Sequence, residues 1–570
     1  MLVYLFALAI SGPSSTNYRE KDRKNIRLVF DYSNPEKKTD PYQCSNVSQV
    51  ISWKYGNFTC YDGDIITSEK DTIIRSVVTK AKNYIESLIR INRNDHNFSL
   101  INDDSEKIFP SLSSFNQDLY ISINYRVFNF STIVIGKSLS YSTDDSRPIQ
   151  GSLSFNVQNV PSSSNQKPEV DLLYYNVIKQ LIVILGMDYN VFKKWMNRET
   201  GQPWGESFPL TKYSNPQYPT IPFYILHTPM AHKYSSERFN KKEYATSVPM
   251  GIELEVGNNG ECVANANSRV YFTELLSGTM APPILITDLT MTILEDMGWY
   301  STNYSQAVPL PWGRGESIGE ERLPSFPNGR PQIDYPSHYL CRKGDFNRTT
   351  TCSYDHSSIA FCWDLFNHEV KCPGAPGSDD ERFCKAQNFF NPQGYNRRGS
   401  NFNEAYSLMK ASVLQANCLR NDYEKDPVII NFSMKFGQES SCIETFDAVG
   451  EEFDNFSGCY STQCDSTNTI LTVQIEEQLI KCTTPGVIMN ITHPHVKSIV
   501  CPDPKIVCNA KKYLKTVFSE PERIEMPGDR SYRHKIYALF GFIGFVLIGI
   551  GIFIFLKRKS SSEYKEFSKV

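Results

Sequence analysis

The sequence predicts an α+β globular domain, followed by a disulfide-rich domain and a single transmembrane helix. Strand-like segments precede a long apolar helix at residues 169–188, and strands followed by a core helix are typical of α+β domains. Most of the 15 cysteines follow residue 340, and residues 536–556 form an uninterrupted apolar run. With 570 residues, the chain is longer than a single core supports. We therefore expect a signal peptide at 1–15, a linker at 16–25, an α+β domain at 26–318, a cysteine-rich domain at 319–527, a transmembrane helix at 536–556 and a tail at 557–570.

The two ends of the chain predict export and membrane anchoring. Residues 1–15 form an apolar run that ends in small residues, as in a secretory signal peptide. Residues 536–556 are long enough to cross a bilayer and are followed at once by Lys557, Arg558 and Lys559, a stop-transfer pattern. A buried core helix is the alternative for this run. We expect a type I plasma-membrane protein with an extracellular ectodomain.

Glycosylation sequons and cysteines agree with an exported ectodomain. Every Asn-x-Ser/Thr sequon precedes the apolar span and begins at Asn46, Asn57, Asn97, Asn129, Asn303, Asn347, Asn431, Asn455 and Asn490. All the cysteines precede it too, so disulfides are the expected state, although the odd count leaves one thiol unpaired or paired between molecules. The net charge of −3 gives no reason to expect nucleic acid as a partner.

Periodicity predicts the main elements of the α+β domain. The helix at 169–188 carries apolar residues at three-and-four spacing, and Gly186 is placed to end it. A second helix is predicted at 69–89 with Thr67 or Ser68 as its cap, and a third at 289–297. Strands are predicted at 26–32, 119–124, 127–134 and 152–157, and an irregular surface excursion at 197–226.

Several phrases, in order, resemble one known family. They are IRLVFDYS at 26–33, ITSEKDTI at 66–73, RPIQG at 147–151, MGIELE at 250–255, FTELLSG at 272–278, LTMTILEDMGWY at 289–300, PLPWGRG at 309–315 and CSYDHSSIAFC at 352–362. Together they resemble the leishmanolysin family of cell-surface zinc metalloproteases. The resemblance implies a metzincin-like protease domain, a helix with the motif His-Glu-x-x-His, a distant third His and a Met-turn below the metal. It also implies a cysteine-rich C-terminal domain.

The residues at the corresponding positions are not those of a zinc protease. The first His, the catalytic Glu and the second His correspond to Lys179, Gln180 and Val183. The third His corresponds to Asn265 and the Met-turn methionine to Leu276.

Each replacement removes a chemical requirement of the family's reaction. A protonated Lys179 repels a divalent cation, and Gln180 cannot accept a proton from water. Val183 has no lone pair, and Asn265 is a weak ligand for zinc. No shift of the alignment restores the motif, because no histidine lies between His96 and His227.

Two functions from different classes remain open at this stage. The replaced residues predict a catalytically inactive pseudoprotease that binds an extracellular protein or another cell-surface ligand, with no cofactor expected. The long resemblance keeps the alternative open, an active metalloendopeptidase with a non-standard site, which would need zinc. The helix at 169–188 also has two interpretations. Either it is kept for packing and has lost its metal, with Lys179 and Gln180 bordering the old cleft, or it carries an unrecognised catalytic site.

Cysteines and short motifs provide further candidates. Cys44 and Cys60 are natural disulfide partners, and Cys352 and Cys362 are further disulfide candidates. Cys262 is either a free thiol near the old site or part of a disulfide.

Two short patterns outside the protease-like region also have two interpretations each. The His493-Pro-His495 pair either binds a metal or is an exposed polar turn. The tail residues Tyr564 to Phe567 match an endocytic sorting pattern, with a solvated tail as the alternative.

Overall fold

A computed structural model describes residues 23–518, except 38–39, 94–96, 105–106, 129–131, 216–217, 257–260, 279, 281–282, 315–322, 329–334, 340–349, 362–410, 420–432 and 448–454. The chain divides into two compact units, residues 1–513 and residues 514–570. Within the described ranges, no helix is both long and apolar enough to cross a membrane. The predicted signal peptide, span and tail at 1–15, 536–556 and 557–570 lie outside these ranges, as do Asn129, Asn347, Asn431 and Cys362.

The described residues form seven α-helices and 28 strands. The helices are α1 Ser33–Lys37, α2 Ser68–Leu88, α3 Lys167–Leu185, α4 Pro229–Phe239, α5 Ser268–Tyr271, α6 Asp288–Asp296 and α7 Pro504–Phe518. The strands as far as α3 are β1 Lys24–Asn25, β2 Leu28–Asp31, β3 Val50–Trp53, β4 Gly56–Thr59, β5 Ile89–Ile91, β6 Phe98–Ser99, β7 Ser114–Phe115, β8 Leu119–Arg126, β9 Val134–Tyr141 and β10 Pro148–Asn156. Those from α3 to residue 302 are β11 Met196–Asn197, β12 Gln202–Pro203, β13 Leu210–Asn215, β14 Tyr218–Leu226, β15 Glu243–Ala245, β16 Val248–Pro249, β17 Ile252–Val256, β18 Cys262–Ala266 and β19 Tyr300–Thr302. The remaining strands are β20 Thr351–Cys352, β21 Ser358–Phe361, β22 Ala411–Asn417, β23 Ser440–Asp447, β24 Asn455–Cys464, β25 Leu471–Ile475, β26 Gln478–Cys482, β27 Ile488–Asn490 and β28 Val496–Val500.

The first sheet has the order β2-β8-β10-β9 and supports helix α3. Strands β2, β8 and β10 are parallel, and β9 is an antiparallel edge strand. Helix α3 packs on β9 and β10, and α2 packs on α3. Two glycines allow the close approach, because a Cβ on Gly136 would lie 2.5 Å from the carbonyl oxygen of Gln180 and one on Gly151 would lie 2.4 Å from Cγ2 of Ile184.

The structure confirms the helix predicted at 169–188 and the glycine at its end. Helix α3 runs from Lys167 to Leu185, and Gly186 follows with φ +136°. The Gly186 amide donates to Val183 O and the Met187 amide to Ile182 O, which is the bond pattern of a Schellman motif. All six apolar residues that predict the helix are fully buried, namely Val177, Ile178, Leu181, Ile182, Ile184 and Leu185.

The prediction for the second helix is also confirmed, including one of its two candidate caps. Helix α2 begins at Ser68, and the Thr67 hydroxyl accepts a hydrogen bond from the Lys70 amide at 3.2 Å. Helix α6 matches the third predicted helix within one residue at each end, and Gly298 follows it with φ +80°.

Two predictions about strands are wrong. The strand predicted at 127–134 begins only at Val134, after a connection that starts at Val127. The excursion predicted at 197–226 contains β13 and β14, which join a second sheet in the order β13-β14-β17-β18. Strand β14 pairs there with β17, where Tyr224 lies opposite Leu254. Because this partner comes 30 residues later, local composition did not indicate the pairing.

Disulfides and a six-stranded sheet organise the cysteine-rich region. The sheet has the order β26-β25-β24-β23-β28-β27, and a three-stranded sheet β20-β21-β22 adjoins it. The expected Cys44–Cys60 disulfide is present. Cys352 is also in a disulfide, and its partner is Cys442, which is 90 residues further along the chain. The other disulfides of the described residues are Cys418–Cys459, Cys464–Cys508 and Cys482–Cys501.

Candidate functional site

Lys179 is buried in the contact between α3 and a later turn. Its side chain leaves only 6% of the residue exposed, and Nζ donates a 2.6 Å hydrogen bond to the carbonyl oxygen of Ser277. Burial lowers the pKa of Lys179 to about 8, although the charges of Glu255 and Glu274 act in the opposite direction. The sequence suggested that Lys179 borders the old cleft. In the structure it is instead a buried cation.

The turn that receives Lys179 consists of Leu276, Ser277 and Gly278, here called the 276–278 turn. It lies beside the end of β18, where the Ala266 amide donates to Leu276 O at 2.9 Å and the Gly278 amide donates to Ala266 O at 3.2 Å. Leu276 is buried, and Asn265, next to Ala266, is half-buried. The structure thus brings Lys179 and Leu276 into one region. Asn265 directly precedes Ala266, the residue that is bonded to the 276–278 turn.

Gln180 contacts the edge strand of the first sheet. Its Oε1 accepts a 2.8 Å hydrogen bond from the amide of Gly136 in β9. An edge strand has backbone donors without strand partners, and here the helix supplies an acceptor for one of them. Gln180 and Val183 are both half-buried, so Val183 does not belong to the fully buried stripe of α3. Gln180, which the resemblance aligns with the family's catalytic Glu, therefore has a structural contact.

Glu255 is a buried carboxylate with one satisfied oxygen. Its Oε1 accepts hydrogen bonds from the Ser268 amide at 2.8 Å and from the Ser268 hydroxyl at 2.6 Å. Within the described structure, Oε2 is buried and has no hydrogen-bond partner. Burial raises the pKa of Glu255 to about 7, the Ser268 hydrogen bonds and Lys179 lower it, and the neighbouring Glu253 adds to the rise. A Cβ on Gly278 would lie 2.6 Å from Oε1, so Gly278 allows the 276–278 turn to approach the carboxylate.

Glu253 forms a buried ion pair with Arg269. The two Nη2–Oε distances are both 2.6 Å, and each side chain is 1% exposed. The Tyr244 hydroxyl donates to Glu253 at 2.6 Å and the Asn267 amide group at 2.8 Å. Arg269 also donates to the Tyr335 hydroxyl at 3.0 Å. These contacts occupy both groups and make the pair structural.

Glu274 is the third buried carboxylate of the region. The hydroxyls of Thr287 and Thr290 donate to its two oxygens, and it is fully buried. Burial raises the pKa of Glu274 to about 7, while the two threonine hydrogen bonds lower it. The carboxyl group links the 276–278 turn to the start of α6, because the Leu276 amide also lies 3.4 Å from Oε1.

The donor set of this region does not fit zinc. Zinc sites in proteins are built from imidazoles, thiolates and carboxylates, and across the described ranges no group of three or more His, Cys, Asp or Glu side chains could hold a metal ion. Lys179, which the resemblance aligns with the family's first zinc ligand, carries an ammonium group that would repel a divalent ion beside it. We therefore derive no metal-dependent step at this site.

Two histidines lie together elsewhere, along an open groove of about 580 Å³. His227 and His232 line it with aromatic and proline side chains such as Phe208. His232 Nδ1 donates to the Met250 carbonyl at 2.7 Å, and His227 Nε2 lies 2.9 Å from the Thr211 hydroxyl. Pro229 lies between the two residues at the start of α4, so His227 precedes this helix and His232 is within it.

The His493-Pro-His495 pair is part of a turn rather than an open metal site. Nδ1 of His493 accepts hydrogen bonds from the amides of His495 at 3.1 Å and Val496 at 3.0 Å. Nε2 lies 3.1 Å from the Ser433 hydroxyl and 3.4 Å from the Glu476 carboxylate. Both ring nitrogens are therefore used within the chain. The His493 side chain is 1% exposed, so the predicted turn exists but this residue is not exposed.

Cys262 and the sequons complete the comparison with the predicted residues. Cys262 is a free, buried thiol, and burial raises its pKa to about 12. Among the described sequons, the asparagines with exposed side chains are Asn46, Asn57, Asn97 and Asn490, and Asn303 is half-buried. Asn455 lies at the start of β24.

Comparison with known proteins places this arrangement in a family. A sequence model of leishmanolysin, peptidase family M8, matches residues 5–515. The chain belongs to the leishmanolysin family. The leishmanolysin-like peptidase of Drosophila melanogaster is 24% identical over 289 residues, which cover 46% of this chain and 41% of that protein. The leishmanolysin homolog of Crithidia fasciculata is 24% identical over 358 residues, which cover 60% of this chain and 49% of that protein. The matched part thus spans less than half the length of each of these relatives.

The residues that surround Lys179 in this leishmanolysin-family chain were not among the predicted site residues. Glu255 ends the phrase MGIELE, and Glu274 and Ser277 lie within the phrase FTELLSG. Glu253 and Glu255 alternate with apolar residues in Ile252–Val256, a pattern typical of a strand with one exposed face, so nothing in the sequence indicated that both acids are buried. The convergence of Glu255, Glu274 and Ser277 on Lys179 required the tertiary structure.

Proposed function

We propose that this member of the leishmanolysin family is a catalytically inactive pseudoprotease that serves in cell-surface binding or adhesion as a type I membrane glycoprotein. The proposal includes a metzincin-like domain at 26–318, a cysteine-rich domain at 319–527 and a single span at 536–556. Its partner would be an extracellular protein or another cell-surface ligand. Support for export comes from the disulfides and from the exposed sequon asparagines.

The observation that carries the proposal is the buried ammonium of Lys179. It occupies the position that corresponds to the family's first zinc ligand and is bonded to Ser277 O at 2.6 Å. Two unit charges at about 4 Å interact by about 4 kcal/mol at an effective dielectric constant of about 20, so a divalent ion at that distance would be repelled by about 8 kcal/mol. Gln180 also supports the proposal. It corresponds to the catalytic Glu, but its side-chain amide cannot accept a proton from water, and its Oε1 is bonded to the Gly136 amide.

The alternative is an active zinc metalloendopeptidase with a non-standard site. The family match over residues 5–515 and the two imidazoles in the His227/His232 groove favour it. The groove provides two nitrogens of the right type, but a catalytic zinc site uses three protein ligands and a water.

Metal content and proteolysis separate the two functions. The full-length protein, purified from membranes in detergent, is analysed for zinc by mass spectrometry and incubated with casein with and without a chelator. We expect far less than one zinc per chain and no chelator-sensitive cleavage. One zinc per chain together with chelator-sensitive cleavage would establish the alternative.

A reverted variant serves as the positive control for this assay. It combines Lys179→His, Gln180→Glu, Val183→His and Asn265→His, and we expect it to take up zinc. A folded reverted variant that takes up no zinc would show that the positions were assigned wrongly.

The binding role and the topology have their own tests. Cells that display the protein should adhere to cells or matrix glycoproteins equally well with and without chelator, because binding needs no metal in this proposal. Loss of adhesion on chelation would count against it. An antibody to residues 565–570 should stain only permeabilised cells, and staining of intact cells would contradict the type I topology.

A further inference from the structure

We propose that Lys179 is a structural cation, whose ammonium group bonds helix α3 to the 276–278 turn and stabilises the nearby Glu255 carboxylate electrostatically, in place of a metal ion. This goes beyond the absence of catalysis, because it gives the replacing residue a positive role in the protein. It rests on the proposed function only in assigning the metal's position to Lys179. Its test measures unfolding rather than proteolysis, so the two proposals can fail separately.

The first step is the contact between the helix and the turn. Nζ of Lys179 donates to Ser277 O at 2.6 Å across 98 residues of sequence. An ammonium group has three donors, and a charged donor to a carbonyl oxygen forms a stronger hydrogen bond than a neutral one. The Ser277 carbonyl belongs to a turn that is itself bonded to Ala266 of β18. Lys179 therefore connects α3 to the second sheet.

The second step is the carboxylate that needs a cation. Glu255 is 1% exposed, and its Oε2 has no hydrogen-bond partner within the described part of the chain. The Gly278 position lies against Oε1 of the same carboxylate, one residue after Ser277. A buried carboxylate with an unsatisfied oxygen is costly unless a positive charge lies near it. Lys179 is bonded to Ser277, the residue before Gly278, so its ammonium lies on the same turn as this carboxylate. The two groups form no direct ion pair among the described contacts, and Lys179 acts on Glu255 through its charge.

The third step is the absence of another described cation with this role. Glu253 also acts on Glu255, but with the same sign of charge, and Arg269 is committed to Glu253 through two 2.6 Å contacts. Glu274 acts on Lys179 and is hydrogen-bonded by threonine hydroxyls. Burial opposes charge on both Lys179 and Glu255. The Ser268 hydrogen bonds favour the charged form of Glu255 most, and Lys179 adds to them as the cation that acts on this carboxylate.

The test is a double-mutant cycle on the full-length protein. The variants are Lys179→Met, Glu255→Gln and the combination of both, compared with wild type by the midpoint temperature of thermal unfolding. Methionine keeps most of the volume of lysine and removes the charge. We expect Lys179→Met alone to lower the midpoint by at least about 3 °C, because it leaves Glu255 buried without a cation. Adding Glu255→Gln should recover at least half of that loss.

Lys70 provides a matched control. It is also a buried lysine whose Nζ donates to backbone carbonyls, those of Val157 at 2.7 Å and Gly63 at 3.1 Å, but the carboxylate that acts on it is Asp64. The shifts from Lys70→Met and Glu255→Gln should simply add. This control shows whether any recovery by Glu255→Gln is specific for Lys179.

Several results would overturn the proposal. One is a Lys179→Met variant as stable as wild type, which would mean that the charge is not needed. Another is a double variant that is no more stable than Lys179→Met, or a Lys70→Met variant that Glu255→Gln recovers equally. If Lys179→Met does not fold at all, recovery of folded protein by the added Glu255→Gln change supports the proposal, and failure to recover it contradicts the proposal.

Discussion

The close packing of helix α3 on strand β9 can be tested by adding a single methyl group. In Gly136→Ala, the new Cβ would lie 2.5 Å from Gln180 O and 3.1 Å from Gln180 Cβ. Real Cβ atoms essentially never approach other atoms within 3.0 Å, so the helix and the strand must separate by at least 0.5 Å here. The same movement stretches the 2.8 Å hydrogen bond between the Gly136 amide and Gln180 Oε1.

The size of the effect follows from these contacts. Overpacking of a well-packed interface costs about 1–3 kcal/mol, and loss of a hydrogen bond costs about 1 kcal/mol. Replacement of glycine in a strand returns about 0.5–1 kcal/mol through the lower entropy of the unfolded chain. We therefore expect the free energy of unfolding to fall by about 2 kcal/mol. For a large domain, this lowers the midpoint of thermal unfolding by about 4 °C.

The assay is thermal or denaturant unfolding of the full-length protein, with Gly63→Ala as the control. At Gly63 an added Cβ would meet only Gln158 Cγ at 3.9 Å, which is an ordinary van der Waals contact. The control should stay within about 0.5 kcal/mol of wild type. If Gly136→Ala were as stable as Gly63→Ala, helix α3 would not sit this close to β9, and the placement of Gln180 against the edge strand would be refuted.

Three further predictions concern buried cysteines and one carboxyl group. Digestion of the unreduced protein should give a peptide pair joined through Cys352 and Cys442, and a pair joined through Cys352 and Cys362 would contradict the structure. Cys262 should resist alkylation in the native protein and react on unfolding, because it is buried with a pKa raised to about 12. Burial raises the pKa of Glu274 from 4.5 to about 7, so the folded state holds this proton more tightly than the unfolded state. The stability that this proton provides is therefore fully present below about pH 4.5 and is lost as the pH rises through about 7. Glu274→Gln should flatten the pH dependence of the free energy of unfolding in that range. An unchanged pH dependence would show that Glu274 does not titrate there.

The elements that could be predicted from the sequence are those whose information is local. Helix α3 has an apolar stripe with helical spacing and a glycine at its end, and both features lie within about 20 residues. Helix α2 likewise carries its cap, Thr67, directly before its first turn. Strand β14 was not predicted, because prolines at 219 and 222 favour irregular structure and hide its pairing with the neighbouring β13, while its other partner, β17, is distant in the chain.

The position of the candidate site could be predicted, but the state of its side chains could not. The resemblance indicated Lys179, Leu276 and Asn265, and the structure brings the first two into one region. A lysine in a helix is usually exposed, so the expectation that Lys179 borders a cleft was reasonable. Its burial depends on Glu255 and Ser277. Both residues are far from Lys179 in the chain, so no local sequence pattern indicates the contact.

Under the proposed function, the three buried acids explain how this fold could stay stable without a zinc ion. Glu253 is neutralised by Arg269, and Glu274 is hydrogen-bonded by threonine hydroxyls, so neither requires an added ion. Glu255 is the exception, since its Oε2 has no hydrogen-bond partner among the described residues, and Lys179 is the cation that acts on it electrostatically. Reversion of Lys179 to histidine therefore removes a cation as well as adding a ligand. The reverted variant should be less stable than wild type when zinc is withheld and should regain stability as zinc is added, by about 2.7 kcal/mol at 100 times the dissociation constant. If it were as stable without zinc as wild type, Lys179 would have no electrostatic role, and the site would have lost its metal without gaining a substitute.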